Sequence, residues 1–141
     1  RSLGQYVDRE VADQIVHQEE GLKGQSKEVT VFFTDVRNYT TLCEGLPPEK
    51  VVGILNEHFA MMGKIIAQHQ GCIVDFVGDA ILAVFGAPKE NPNHAWHAVQ
   101  TAIEALGQLD VLNGHRQKRG ISLLQIGVGI HTGEVVAGGE G

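Results

Sequence analysis

Apolar and polar positions follow two rhythms along this chain. Between residues 71 and 88, GCIVDFVGDAILAVFGAP, two largely apolar runs flank the dipeptide Gly78-Asp79. Glycine first in a two-residue loop suits a type II′ hairpin turn, whose first position needs a positive φ. The pattern therefore predicts strands over 72–77 and 80–85 with Asp79 at the tip between them. Arms this apolar are buried on both faces or lie in the middle of a sheet. Residues 28–34, EVTVFFT, are β-branched and aromatic and predict another buried strand, which runs into Asp35.

Elsewhere the spacing is helical. Residues 49–70 carry Val51, Leu55, Phe59, Met62 and Ile66 on one stripe, with Pro47-Pro48 at the start and Gly71 as the C′ residue that ends the helix. Residues 94–112 predict a second long helix, with Ala95, Ala98, Val99, Ala102, Ile103 and Leu106 on its apolar face. Val7, Val11 and Ile15 place a lead-in helix over residues 5–16, followed by a polar linker at 19–27. Thr41-Leu-Cys-Glu44 has the form of a capping box and predicts a short helix near 40–45. Residues 121–131 read as a strand, Thr132-Gly133 as a turn, and residues 134–137 as the start of a further strand. The order from residue 28 is βαββαβ. That is the α+β, ferredoxin-like pattern, an antiparallel sheet with helices on one face. Residues 1–27 are thus a lead-in helix and linker, and 28–141 the domain proper.

Composition narrows the partners. The chain has 141 residues, of which 43% are hydrophobic and 20% charged, enough for one globular domain with a real core. Its net charge of −6 argues against nucleic acid held through phosphates. Arg116, Lys118 and Arg119, the one small basic cluster, read as a solvated connection over 113–120. Cys43 and Cys72 have neither metal nor disulfide spacing, which fits a reducing, cytoplasmic setting. No run is long enough to span a membrane, so direct membrane contact is not expected of this segment, although a larger, membrane-bound parent is compatible with it.

The ferredoxin-like order makes the first strand and the hairpin neighbours, and so brings Asp35 towards Asp79. Each carboxylate alone is ordinary turn or cap chemistry. Two converging at a sheet edge repel unless a cation lies between them. Oxygen ligands of this kind suit Mg²⁺ or Mn²⁺, which keep waters and bind substrate phosphates. The residues after Asp35 lead into a short helix whose first N–H groups favour anions. Metal beside helix N-terminus is an arrangement for phosphoryl transfer.

Other signals carry less. Gly127-Val-Gly129 with Gly133 fails the spacing of a dinucleotide fingerprint and reads as close packing in a strand. His94 and His97 sit at i, i+3 without a third ligand and read as residues of a surface helix. His131 reads as a strand-end residue, and Met61 and Met62 as core filler.

At the level of motifs, VFFTDVRNYT resembles the first metal motif of the class III nucleotidyl cyclases, the adenylate/guanylate cyclase family. DFVGDAILAVFGAP resembles the second, IGVGIHTGEVVAG the later strand pair, and LGQYVDREVADQIV the segment that precedes the catalytic domain in bacterial members. The resemblance implies conversion of a nucleoside triphosphate, ATP or GTP, to a 3′,5′-cyclic monophosphate and pyrophosphate with two divalent cations, Mg²⁺ or Mn²⁺. By position it makes Asp35 and Asp79 the metal carboxylates, assisted by the Val36 carbonyl. Arg37, Asn38, Tyr39 and Thr40 would line the triphosphate. It also implies a head-to-tail homodimer with sites at the interface.

Two departures accompany the resemblance. Asp75 stands where adenylate cyclases usually carry an adenine-reading Lys and guanylate cyclases tend to carry Glu. A carboxylate accepts from guanine N1–H and N2–H₂, whereas adenine N1 needs a donor; the alternative is that Asp75 faces solvent on a hairpin arm. The family's second base-reading residue, and the Asn and Arg that serve the ribose and the transition state, are expected beyond residue 141. The chain by itself is accordingly expected to turn over little. The rival reading is a degenerate cyclase-like domain that binds nucleotide or metal and regulates a partner.

Overall fold

Strand β1, Ser26–Val36, is the spine on which the other elements are hung. The computed structural model describes residues 26–136, so the lead-in helix expected over 5–16 and most of the linker lie outside the described residues. After β1 come α1 (Tyr39–Cys43), α2 (Pro48–Gln68), β2 (Cys72–Val77), β3 (Ala80–Phe85), α3 (His94–Lys118) and β4 (Ile126–Val136). The four strands form one sheet in the order β2-β3-β1-β4, with every neighbouring pair antiparallel. This is the ferredoxin-like arrangement that the order of elements predicts. No helix among the described residues is long and apolar enough to cross a membrane.

Alternation along β1 sends Thr30, Phe32, Thr34 and Val36 to one face, and all four are buried. Helices α2 and α3 cover that face. Phe32, Met62, Ile65, Ile81, Phe85 and Ala98 form the main core, and Ile54, Leu109 and Leu124 a smaller cluster beside it.

Several local expectations are corrected. The capping box does not form: α1 starts from Asn38, a left-handed residue (φ 53°, ψ 38°) that makes no side-chain cap bond, and the Glu44 N–H instead reaches the Thr41 carbonyl. The residue that closes α2 is Gln70, not Gly71. Gln70 has φ 68°. Its N–H meets the Ala67 carbonyl at 3.1 Å while the Gly71 N–H meets Ile66 at 2.9 Å, a Schellman closure shifted by one residue. Gly71 is required for space. A Cβ there would lie 2.6 Å from Phe85 Cζ and 2.8 Å from Ile66 Cγ2.

Since Gln70 is exposed and left-handed, Gln70→Gly should stabilise the fold by about 0.5–1 kcal/mol, the left-handed penalty less the entropy glycine adds to the unfolded chain. A rise in the urea midpoint at unchanged slope would register the gain, and an unchanged midpoint would refute it.

The third helix and the last strand depart further from expectation. α3 runs on to Lys118, so residues 113–118 are helical. Arg116 is 5% exposed and not solvated. Its Nε donates to the Ser122 carbonyl at 2.6 Å and its Nη1 to Glu57 Oε1 at 2.5 Å. The face of α3 that packs is also different: His94, Ala98, Thr101, Ala105 and Leu109 are buried. Of the apolar residues expected there, Val99, Ile103 and Leu106 are exposed. Small side chains win the inward positions because they let the helix lie close to the sheet. His94, read as a surface residue, is buried; its Nδ1 shares a hydrogen bond of 2.6 Å with Thr30 Oγ1, and its Nε2 lies 3.2 Å from Glu28 Oε1. Finally, residues 126–136 are one continuous strand. Thr132-Gly133 is no turn, because both residues are paired to β1, opposite Thr30 and Val29.

Candidate functional site

The β2–β3 hairpin closes with Val77 opposite Ala80, which leaves Gly78 and Asp79 as a two-residue loop. Gly78 has φ 60° and Asp79 is not a positive-φ residue, as a type II′ turn requires. Because β3 pairs with β1, the loop lies beside the end of β1. There Asp79 Oδ2 accepts the Val36 N–H at 3.0 Å. The carboxylate at the hairpin tip is thereby fastened to the residue that follows Asp35.

Asp35 is still within the ladder, opposite Gly127 of β4, and it points away from the helices. Gly127 makes room for it. A Cβ at Gly127 would lie 3.0 Å from Asp35 Oδ1 and 2.9 Å from Arg37 Nη1, so both side chains pass over the bare backbone. Asp35 Oδ1 is buried without a hydrogen-bond partner. A buried anionic oxygen left in that state has retained its capacity for a ligand. Among the described residues, no group of three or more His, Cys, Asp or Glu side chains is placed to hold a metal. An oxygen-only set of two carboxylates and a carbonyl suits Mg²⁺ or Mn²⁺, which take their remaining ligands from water and phosphate.

The segment expected to meet a triphosphate divides in two. The Arg37 N–H is already taken by the Gln125 carbonyl at 2.7 Å. Tyr39 and Thr40 open α1, where N–H groups have no partner within the helix. Leu42 makes the first such bond, to Asn38 at 2.9 Å. The left-handed Asn38 is what turns the chain from strand to helix at this point. Burial, a hydrogen bond with Cys43, and the charges of Cys43 and Asp79 all push the Tyr39 phenol above its usual pKa.

Asp75 does not face solvent. β2 has a bulge between Ile73 and Asp75, and Asp75 is paired with Leu82 and 7% exposed. Its Oδ1 accepts the Phe76 N–H at 2.8 Å. A bulge re-aims side chains from the position strict alternation would give.

His58 is a residue that pattern reading passes over. It lies in the buried stripe of α2 with Ile54 and Met62, is 1% exposed, and neither ring nitrogen has a partner. Burial lowers its pKa below the ordinary 6.5, against the opposing pull of Asp79 and then Asp35. Its helical spacing from Ile54 and Met62 was the signal available in the sequence.

The sign of the pH effect follows from that shift. The folded protein holds fewer protons at His58 than the unfolded chain does, so the neutral ring's contribution is fully present above pH 6.5 and is lost as pH falls towards the lower folded value. His58→Phe should therefore gain in relative stability on acidification, by at most about 1.4 kcal/mol per pH unit. Urea titrations of parent and variant, compared between about pH 7 and about pH 5.5, measure this, and a constant difference would exclude it.

Residues 22–141 match the family described as the adenylate and guanylate cyclase catalytic domain. Adenylate cyclase 1 of Rhizobium meliloti (strain 1021) is 37% identical over 115 residues, covering 82% of this chain and 17% of that protein. Among solved structures, the guanylyl cyclase Cya2 aligns with a TM-score of 0.74 at 40% identity, over 80% of this chain and 57% of that one. The adenylyl cyclase CyaB from P. aeruginosa aligns with a TM-score of 0.73 at 36% identity, over 78% of this chain and 58% of that one. The chain thus spans less than two thirds of each.

Proposed function

The chain belongs to the adenylate and guanylate cyclase catalytic domain family, and on that premise we propose that it is part of a nucleotidyl cyclase acting on ATP or GTP. The observation that carries the proposal is the bond from the Val36 N–H to Asp79 Oδ2, which ties the hairpin tip to the β1 end beside the buried, unpartnered Asp35 Oδ1. In this reading Asp35, Asp79 and the Val36 carbonyl hold two divalent cations, Mg²⁺ or Mn²⁺. Bound there, the cations supply Lewis-acid activation of an attacking oxygen and neutralise phosphate charge.

The chain's own residues then have separate tasks. Free N–H groups of Tyr39 and Thr40 receive phosphate oxygens, and the Arg37 side chain adds positive charge beside Asp35. Asp75 is the base-reading position. The 3′-hydroxyl of the bound nucleotide gives up its proton to solvent, its oxygen forms a bond to the α-phosphorus, the bond from that phosphorus to the α,β-bridging oxygen breaks, and pyrophosphate leaves with those electrons. Residues that serve the ribose and the transition state are those expected beyond residue 141, brought to the site in a head-to-tail dimer. Residues 1–27 act as a lead-in to the domain, in a cytoplasmic setting.

A second reading, nucleotide binding without turnover, is favoured by one feature: Asp75 Oδ1 is engaged by its own neighbour's N–H. Purified full-length protein, supplied with Mn²⁺ and either ATP or GTP, separates the two. Cyclic nucleotide from either substrate supports the cyclase. Saturable nucleotide binding with no cyclic product from either supports the second reading.

A further inference from the structure

Two opposite charges lie side by side at the end of β1 without being joined. Asp35 Oδ1 is buried and has no hydrogen-bond partner. The Arg37 side chain is exposed and, among the described residues, makes no hydrogen bond or ion pair. Both lie over Gly127. The point where a Cβ would stand there is 3.0 Å from Asp35 Oδ1, 2.9 Å from Arg37 Nη1 and 3.0 Å from Arg37 Cδ. The carboxylate oxygen and the guanidinium nitrogen are therefore no more than about 6 Å apart, close enough for each charge to act on the other. The backbone beneath them is held. Gly127 is in the ladder opposite Asp35, and the Arg37 N–H meets the Gln125 carbonyl at 2.7 Å. Arg116 shows the contrast, since Glu57 and Ser122 occupy its guanidinium. Arg37 is a cation beside a carboxylate, on a pinned backbone, with its donors still available.

We propose that Arg37 is a built-in counter-ion of Asp35: it lowers the affinity of the nucleotide-free site for divalent cations and turns to the phosphates of an incoming triphosphate, so that cation and triphosphate are taken up together. The proposal rests on the cyclase reading's assignment of Asp35 and Asp79 to the cations. Arg37 is not itself a metal ligand. A fixed positive charge beside a carboxylate repels a second cation drawn to the same oxygen. A triphosphate relieves that repulsion in two ways. It brings negative charge, and its oxygens match the planar fork of a guanidinium. Coupling of this kind is reciprocal, so the cation favours the triphosphate as much as the triphosphate favours the cation. Gly127 is what permits the arrangement, because a side chain there would meet Arg37 and Asp35 together.

The test needs no turnover. Mn²⁺ binding to the nucleotide-free, full-length protein is read from the electron paramagnetic resonance signal of free Mn²⁺, and binding of Mg²⁺–tripolyphosphate is read by calorimetry. Arg37→Gln, Arg37→Lys and Asp79→Asn are compared with the parent. Arg37→Gln should bind Mn²⁺ about fivefold more tightly than the parent in dilute buffer, and that advantage should shrink below about twofold in roughly 0.5 M salt. The same variant should bind Mg²⁺–tripolyphosphate about tenfold more weakly. Arg37→Lys keeps the charge and should stay within about twofold of the parent for Mn²⁺. An Mn²⁺ affinity of Arg37→Gln that is unchanged or weaker overturns the inference. So does an equal gain in Arg37→Lys, which would make the effect one of shape, or a gain that high salt leaves untouched. Tighter Mn²⁺ binding with no loss of tripolyphosphate overturns the coupling. If Asp79→Asn abolishes Mn²⁺ binding while Arg37→Gln leaves it unchanged, the metal site stands and this inference alone falls. If Asp79→Asn binds as the parent does, or if neither the parent nor Arg37→Gln binds Mn²⁺, the carboxylate assignment falls and the counter-ion with it.

Discussion

Asp79→Asn should lower cyclase turnover in the full-length protein by about 10³-fold or more while leaving the melting temperature within a few degrees of the parent. The two outcomes separate because Asp79 does two things. Its Oδ2 accepts the Val36 N–H at 3.0 Å, and an amide oxygen can still accept that bond, though without the assistance of charge. The hairpin therefore stays fastened to β1 in the variant. What is lost is one unit of negative charge where the proposed site needs oxygen ligands for a cation. A few kcal/mol of lost transition-state stabilisation is enough for the stated loss, since each tenfold corresponds to about 1.4 kcal/mol. Activity within tenfold of the parent would remove Asp79 from the metal site. A collapse of the fold would mean instead that the Val36 bond depends on the charge.

The largest stability effect is expected at Phe85. Its ring is fully buried, and it meets Phe32 edge to face with centroids 6.0 Å apart and planes at 66°. Phe85→Ala should cost about 3–5 kcal/mol, a large share of the stability of a domain this size. The same ring, together with Ile66, is what makes a side chain at position 71 intolerable, with Phe85 Cε2 2.7 Å and Ile66 Cγ2 2.8 Å from where a Cβ would stand. Gly71→Ala alone should cost about 1–3 kcal/mol, as overpacking does. In the Phe85→Ala background part of that cost should disappear, because the new methyl enters the space the ring vacated and only the approach to Ile66 Cγ2 at 2.8 Å remains. A double-mutant cycle by urea unfolding measures the coupling, and strict additivity would show that Gly71 is there for another reason.

The elements whose chemistry was local were legible in the sequence. The hairpin declared itself through two apolar runs and a Gly-first loop, and the βαββαβ order followed from the sequence of rhythms. The errors have physical causes. Thr132-Gly133 made β4 look like a strand, a turn and a strand, yet the partner β1 holds both residues in one ladder. Asn113-Gly114 looked like the end of α3, but Arg116 continues the helix because Glu57 and Ser122 meet its guanidinium. The apolar face of α3 was misplaced because the sheet selects for small size at Ala98, Thr101 and Ala105 rather than for hydrophobicity. Within the candidate site, Asp35 and Asp79 could be named from the motifs. The burial of Asp75 could not, since it depends on a bulge. His58 was hidden by its own regularity, as a polar residue at the spacing of a core position.

The register of the sheet also dictates an order of events during synthesis. β1 is the first described strand, but one of its two partners is the last. Thr30 and Thr132, which share a hydrogen bond of 2.7 Å, are 102 positions apart. Closing so long a loop comes late relative to the local β2–β3 hairpin and to its pairing with β1. Until β4 docks, the Arg37 N–H lacks Gln125, and Asp35 lacks the bare backbone of Gly127 beside it. A nascent chain thus holds its hairpin carboxylate in place well before the surroundings of Asp35 are complete, and the proposed cation site is assembled only with the final strand.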